Sequence, residues 1–198
     1  MLTFSVVLAF FLWMILFYWK LVNFWAGMTM ATLLLAALSL SFGKKTLRLE
    51  WRVSFFPWGV GIALGLYLLF WAANRLIHTF LTPLGAQIGA IYGLKSQGSD
   101  LAIALALLLA IGPGEEIYWR GFLQETLMKR WGPPAGYLVS TAIYALVHLW
   151  SGNPALVLAA LAAGAAWGLV YWRFRNLWPG IISHALWDLF SFVIFPYR

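Results

Sequence analysis

Residues 112–122, GPGEEIYWRGF, place two carboxylates and a guanidinium directly after the apolar run 101–111. A charged side chain at membrane depth costs about 2.5–3.5 kcal/mol, so it indicates either a functional site or a neutralising partner. On a helix, Glu116 and Arg120 lie four residues apart with the acid first, which is the better order for an ion pair. Glu115 lies about 100° round the helix from Glu116 and has no such partner. We therefore predict a structural pair, Glu116 and Arg120, and a second acid, Glu115, that is left for chemistry.

The rest of the chain has the composition of a membrane protein. Its 198 residues are 63% hydrophobic and 10% charged, with a mean hydropathy of +0.84, whereas a soluble domain is about half apolar and a quarter charged. A spanning helix needs about 20 apolar residues. The apolar runs are residues 2–19, 21–42, 57–75, 101–131, 135–150, 155–172 and 178–197. We predict an all-α fold, a polytopic transmembrane helix bundle of about seven spans.

The runs suggest two parts within one compact membrane domain. Residues 1–100 supply N-terminal transmembrane helices and a loop, and residues 101–198 form a helical core that carries the candidate site. Residues 78–100 are the least apolar part of the chain. Because Pro83, Gly85 and Gly93 interrupt them, we expect a loop or an interfacial segment there.

The positive charge is arranged as a membrane topology signal. The net charge is +7, yet eight of the 13 lysines and arginines lie in three loops that alternation of the spans puts on one side: Lys44, Lys45, Arg48, Arg52, Lys129, Arg130, Arg173 and Arg175. This bias predicts an integral protein of the cell (plasma) membrane with a cytoplasmic N-terminus, and no nucleic-acid partner. The chain has no cysteine, which excludes disulfides, thiolate metal sites and a cysteine nucleophile.

Two later apolar runs also contain ionisable side chains. Residues 144–148 read YALVH and residues 184–188 read HALWD, so His148, His184 and Asp188 join the two glutamates at membrane depth. A structural polar cluster is the simpler alternative, but this many intramembrane ionisable groups favour acid–base chemistry. Straight helices place His148 and His184 at different depths. One of the two helices must therefore tilt or start late.

Three motifs thus follow one another on separate spans: EExxxR at 115–120, YxxxH at 144–148 and HxxxD at 184–188. They resemble the CPBP family of intramembrane proteases, the type II CAAX prenyl endopeptidase and bacteriocin-processing (Abi-like) group, whose motifs are EExxxR, FxxxH and HxxxN or HxxxD. The resemblance covers roughly residues 101–195 and includes RGF at 120–122 and NLWP at 176–179. Tyr144 stands where the family usually has Phe, and Asp188 where better-known eukaryotic members have Asn.

The resemblance implies a CAAX-type intramembrane endopeptidase that acts, among membrane lipids, on a peptide or on a lipidated or membrane protein. Peptide hydrolysis needs an activated water, a stabiliser for the oxyanion and a proton for the leaving amine. The implied catalytic residues are Glu115 as general base, His148 sharing its water, and His184, oriented by Asp188, stabilising the oxyanion. Composition and spacing alone support only a buried acid–base cluster.

Three alternatives remain open. Glu115, His148, His184 and Asp188 are also a plausible zinc ligand set. Because no HExxH motif puts two ligands and a base on one helix, we favour a metal-free glutamate mechanism with no cofactor. Membrane acids and histidines form proton relays in transporters, although no inverted repeat of broken helices is seen here. A non-catalytic immunity or scaffold protein has no need of Glu115.

Overall fold

A computed structural model describes residues 1–42 and 47–197, and no strand occurs among them. These residues form eight helices: α1 (Leu2–Trp19), α2 (Phe24–Phe42), α3 (Phe55–Phe80), α4 (Thr82–Tyr92), α5 (Asp100–Trp131), α6 (Pro133–Val147), α7 (Pro154–Phe174) and α8 (Trp178–Ile194). Single 3₁₀ turns follow α4 (Gly93–Gln97) and α6 (His148–Ser151).

Five helices, α1, α2, α3, α5 and α7, are long and apolar enough to cross a membrane, and α8 is a shorter apolar helix. The predicted all-α polytopic bundle is confirmed. Helix α6 has only 15 residues, so not all seven predicted runs are full-length spans. Lys44, Lys45 and Arg198 lie outside the described residues.

Residues 78–100, for which we expect a loop or an interfacial segment, are helical over most of their length, so an extended loop is ruled out and the interfacial segment stays a prediction. Helix α3 continues to Phe80, and α4 follows after one residue. Pro83 lies in the first turn of α4, a position where proline is favoured because its missing N–H has no helical partner to lose. From the sequence alone, Pro83 is expected to interrupt a helix, but in the structure it starts one.

Helix α5 lies at the centre of the bundle, and two glycines let its neighbours approach it closely. A Cβ added at Gly112 would lie 3.1 Å from backbone atoms of Ala185 in α8. A Cβ added at Gly114 would lie 3.2 Å from the backbone of Thr32 in α2. The GPG sequence thus brings three helices together directly before the two glutamates. The helix also widens into π-type turns over Leu107–Ile111 and Glu116–Gln124, a distortion common at functional sites.

The small-residue face of α7 packs against α5 and accepts hydrogen bonds from it. Arg120 Nη2 donates to the carbonyl of Gly164 at 3.2 Å, and Gln124 Nε2 donates to that of Gly168 at 2.8 Å. Glycine at these positions lets the polar side chains of α5 reach the α7 backbone. Buried polar groups of α5 therefore hold the two helices in register.

Helix α8 starts well inside the bundle. Leu177, directly before it, packs against Gly121, ten residues before the end of α5 and so about 15 Å along the helix axis. This late start brings His184 to the level of Glu116. Straight helices would place His148 and His184 at different depths in the membrane. The late start of α8 removes this difference.

The three basic loops meet at one end of the bundle. Arg48, Arg52, Arg173 and Arg175 line one cavity there, and Arg175 joins Lys129 at Glu125. The alternation predicted from sequence therefore places the described members of these loops together. That this end faces the cytoplasm stays a prediction.

Candidate active site

The four predicted catalytic residues line one cavity of about 120 Å³. Glu115 comes from α5, His148 from the turn that ends α6, and His184 and Asp188 from α8. Each is buried, with at most 6% of its surface exposed. The structure thus brings together side chains that are far apart in the sequence. Glu115 and Asp188, for example, are separated by 73 residues.

Glu116 and Arg120 lie beside this cavity and contact each other. Arg120 Nη1 is 3.2 Å from Glu116 Oε1, and both side chains are buried. The distance fits an ion pair, although the Nη1–H groups are not aligned for a hydrogen bond. The guanidinium also lies 4.7 Å from the centre of the Tyr144 ring and 5.5 Å from that of Trp167. The Glu116–Arg120 contact expected from the i,i+4 spacing is therefore present. The spacing did not predict the two aromatic rings, Tyr144 and Trp167, beside the guanidinium.

Glu116 has a second partner, His184. The Nδ1 atom of His184 lies 3.0 Å from Glu116 Oε1, and the ring stacks on Trp167 with 3.6 Å between centroids. Gly180 makes room for the carboxylate, because a Cβ there would lie 2.6 Å from Glu116 Oε2. Glu116 therefore bridges Arg120 and His184 rather than pairing with Arg120 alone.

This contact corrects the expected role of Asp188. The sequence predicted that Asp188 orients His184 through a hydrogen bond and leaves the other ring nitrogen for substrate. In the structure His184 Nε2 is 3.6 Å from Asp188 Oδ2, beyond a good hydrogen bond, and Nδ1 is held by Glu116. Glu116 is the residue that orients the ring, and Nε2 is the nitrogen left towards the cavity.

Both nitrogens of His148 are engaged by the protein. Nδ1 lies 2.8 Å from the carbonyl oxygen of Tyr144, and the indole Nε1 of Trp13 lies 3.3 Å from Nε2. Sequence reasoning missed Trp13, which sits in an apolar, aromatic-rich span 135 residues from its partner. A water shared by Glu115 and His148 has to compete with the indole N–H for Nε2.

Glu115, like Glu116, has one buried carboxylate oxygen that is not satisfied by the described residues. Its Oε2 is buried and has no hydrogen-bond partner among residues 1–42 and 47–197. The side chain of Tyr144 faces the carboxylate. An acceptor left open in a buried site needs an explanation, and a catalytic water between Glu115 and a substrate is one.

The donor set does not fit a zinc ion as it stands. Within the described part of the chain, no three His, Asp or Glu side chains are grouped so that they could hold a metal. His148 uses both ring nitrogens within the protein, and His184 Nδ1 is bound to Glu116. Zinc ligation by His148 Nε2 requires the Trp13 contact to break, whereas the Nδ1 contacts of both histidines are of the kind that metal-binding histidines also make.

Comparison with known proteins identifies the C-terminal half. Residues 97–190 match the family model of the type II CAAX prenyl endopeptidase Rce1-like proteins. This segment of the chain is similar to that family. The match begins just before α5 and includes all three motifs, so this similarity supports CAAX-type intramembrane protease activity in general. Helices α1 to α4 lie outside the match, although α1 supplies Trp13. No curated protein and no solved structure matches the chain.

Proposed function

We propose that this Rce1-like protein is an intramembrane endopeptidase in which Glu115 activates the attacking water. One observation carries the proposal: the buried Oε2 of Glu115 lacks a protein partner among the described residues and lines the cavity shared with His184 and Asp188. A buried carboxylate with an oxygen free to accept a proton from water is a suitable general base. The Glu116–Arg120 pair keeps the nearest guanidinium occupied and leaves Glu115 as the acceptor for water.

The reaction follows from these positions. Glu115 takes a proton from water as its oxygen attacks the peptide carbonyl carbon, which gives a tetrahedral oxyanion. Two carboxylates, Glu116 and Asp188, flank the His184 ring and balance the charge of an imidazolium whose Nε2–H donates to the oxyanion. Glu115 then delivers its proton to the leaving nitrogen. The C–N bond breaks to give a carboxylic acid and an amine, and the acid then loses its proton to the amine or to water.

We propose that the reaction needs no metal ion. The contact of Trp13 with His148 Nε2 supports this proposal, because it occupies a potential ligand atom, and the described residues contain no group of three His, Asp or Glu side chains placed to hold a metal. The zinc alternative is retained as an outcome of the Asp188 experiment described in the Discussion.

The proposed substrates are peptide segments carried by lipidated or membrane proteins. A second cavity of about 330 Å³ adjoins the site, and Leu156, Ala159, Trp187 and Phe192 line both cavities. Its lining is almost wholly apolar, which suits the apolar part of a substrate entering from the bilayer.

The test is a comparison of protein N-termini in membranes that carry the wild type or Glu115→Gln. The wild type should produce new N-termini from membrane-associated proteins, and the isosteric variant should produce none of them. Glu125→Gln, which changes an equally buried acid of α5 outside the cavity, serves as the control. Identical N-termini in wild-type and Glu115→Gln membranes would contradict the proposed function.

A further inference from the structure

Trp13 of α1 reaches the centre of the site from outside the family match. It has no exposed surface. Its ring packs edge-on against Trp119, with centroids 5.8 Å apart, and against His148 at 6.0 Å. Its indole Nε1 lies 3.3 Å from His148 Nε2. Because indole nitrogen only donates, His148 Nε2 must be the acceptor.

The other contact of His148 requires the same tautomer. Nδ1 lies 2.8 Å from the carbonyl oxygen of Tyr144, and a carbonyl oxygen only accepts, so Nδ1 carries the proton. The two contacts agree, because a neutral ring with hydrogen on Nδ1 has its lone pair on Nε2. A flipped ring would break both hydrogen bonds, so Trp13 and the Tyr144 carbonyl fix one orientation and one tautomer.

We propose that Trp13 is a positioning residue that holds His148 as the neutral Nδ1–H tautomer. With its lone pair committed to the indole, His148 does not take the proton of the attacking water, and Glu115 is the only base. His148 then acts through its fixed ring, which forms part of the cavity wall beside Tyr144. The catalytic half of this inference rests on the proposed function, whereas the tautomer does not.

If Trp13 served only to pack the core, the expected result would be different. Trp13→Phe retains most of the buried ring and removes only the N–H donor. Trp178→Phe is the matched control, because the Trp178 indole also donates one hydrogen bond, at 2.9 Å to the Leu49 carbonyl, but at the basic end of the bundle. If Trp13 only packs, Trp13→Phe leaves the His148 ring unchanged. If Trp13 positions His148, the ring changes in Trp13→Phe but not in Trp178→Phe.

The measurement uses the small number of histidines. The chain has three, so protein labelled with ¹⁵N-histidine and reconstituted in lipid nanodiscs gives three sets of ring signals. His78→Gln and His148→Gln assign them. The inference predicts that wild-type His148 has a protonated Nδ1 and an unprotonated Nε2. In Trp13→Phe, the Nε2 signal should move and the second tautomer or the charged ring should appear, while Trp178→Phe retains the wild-type spectrum.

The kinetic measurement tests the consequence for catalysis. Trp13→Phe should lower kcat roughly tenfold with KM unchanged, because a misoriented group near the reacting atoms reduces turnover rather than binding. The proposal that Trp13 fixes the tautomer would be contradicted by a wild-type His148 protonated on Nε2, or by an unchanged His148 spectrum in Trp13→Phe. A changed spectrum with unchanged kcat would overturn the catalytic role. If the wild type cleaves nothing, the proposed function fails while the spectra still judge the tautomer.

Discussion

Two buried glutamates on α5, Glu116 and Glu125, have the same charge and no exposed surface, yet their surroundings differ. Glu125 accepts a hydrogen bond from the Tyr171 hydroxyl at 3.0 Å, and Arg175 lies 2.8 Å from it. Lys129 adds a third contact at 3.5 Å. Both carboxylate oxygens of Glu125 are therefore satisfied within the protein.

The cluster around Glu116 is incomplete by comparison. Arg120 and His184 both approach the same oxygen, Oε1, and Oε2 has no hydrogen-bond partner among residues 1–42 and 47–197, nor has Oε2 of neighbouring Glu115. A buried acceptor without a partner costs about 1–3 kcal/mol. Burial and charge alone thus do not separate a site from a structural cluster on this helix; the open acceptors do.

The largest stability effect is expected at Arg120. Arg120→Ala leaves Glu116 buried without its cation and also removes the hydrogen bond to Gly164, so it should destabilise the fold by about 3–5 kcal/mol. Glu116→Gln should act in the same direction by leaving Arg120 unpaired. The measurements are folded yield and unfolding in detergent. Wild-type unfolding in both variants would show that the pair is not structural.

A smaller effect is expected at Glu125, and it should be confined to stability. Glu125→Gln keeps one acceptor oxygen and loses one hydrogen bond to a charged group, worth about 1.5–3 kcal/mol, and Glu125 is not among the residues that line the cavity. Unfolding and cleavage rate should be measured on the same purified sample. A folded Glu125→Gln protein with a lowered kcat would mean that the two clusters are not separate.

The effect of Asp188→Asn distinguishes the two proposed mechanisms. In the metal-free site the amide still faces His184, so activity should stay within about tenfold, or about 1.4 kcal/mol of barrier. If Asp188 binds zinc, the neutral amide is a poorer ligand and metal and activity fall together. Metal content by mass spectrometry is measured beside the cleavage rate. Stoichiometric zinc in the wild type that is lost with activity in the variant would overturn the metal-free proposal.

The end of the bundle that contains Glu125 and the basic loops should face the cytoplasm. This orientation can be tested without an activity assay. Reporter fusions at Lys45, Lys129 and Arg175 should all report the cytoplasmic side, from the loop bias of basic residues. A fusion at Arg175 that reports the opposite side would contradict the predicted orientation.

The parts of the site that depend on local spacing could be predicted from sequence. The Glu116–Arg120 contact follows from one helical repeat. The depth conflict between His148 and His184 predicted that a helix tilts or starts late, but not which helix or which of the two. Contacts across the bundle could not be predicted. Glu116 meets His184 across 68 residues and Trp13 meets His148 across 135, and no periodicity relates such positions. Helix α4 was missed for a local reason, since Pro83 reads as a breaker unless its place in the first turn is known.

We propose Glu115 as the base of a peptidase site, whereas Glu125 shows that burial alone does not make a glutamate of α5 catalytic. The direct measurement is kcat for purified wild type, Glu115→Gln and Glu125→Gln on a substrate found by the comparison of N-termini. Glu115→Gln should fold normally and lose about 10²–10⁴-fold in kcat, whereas folded Glu125→Gln should retain the wild-type kcat. Full activity in purified Glu115→Gln would show that Glu115 is not the base.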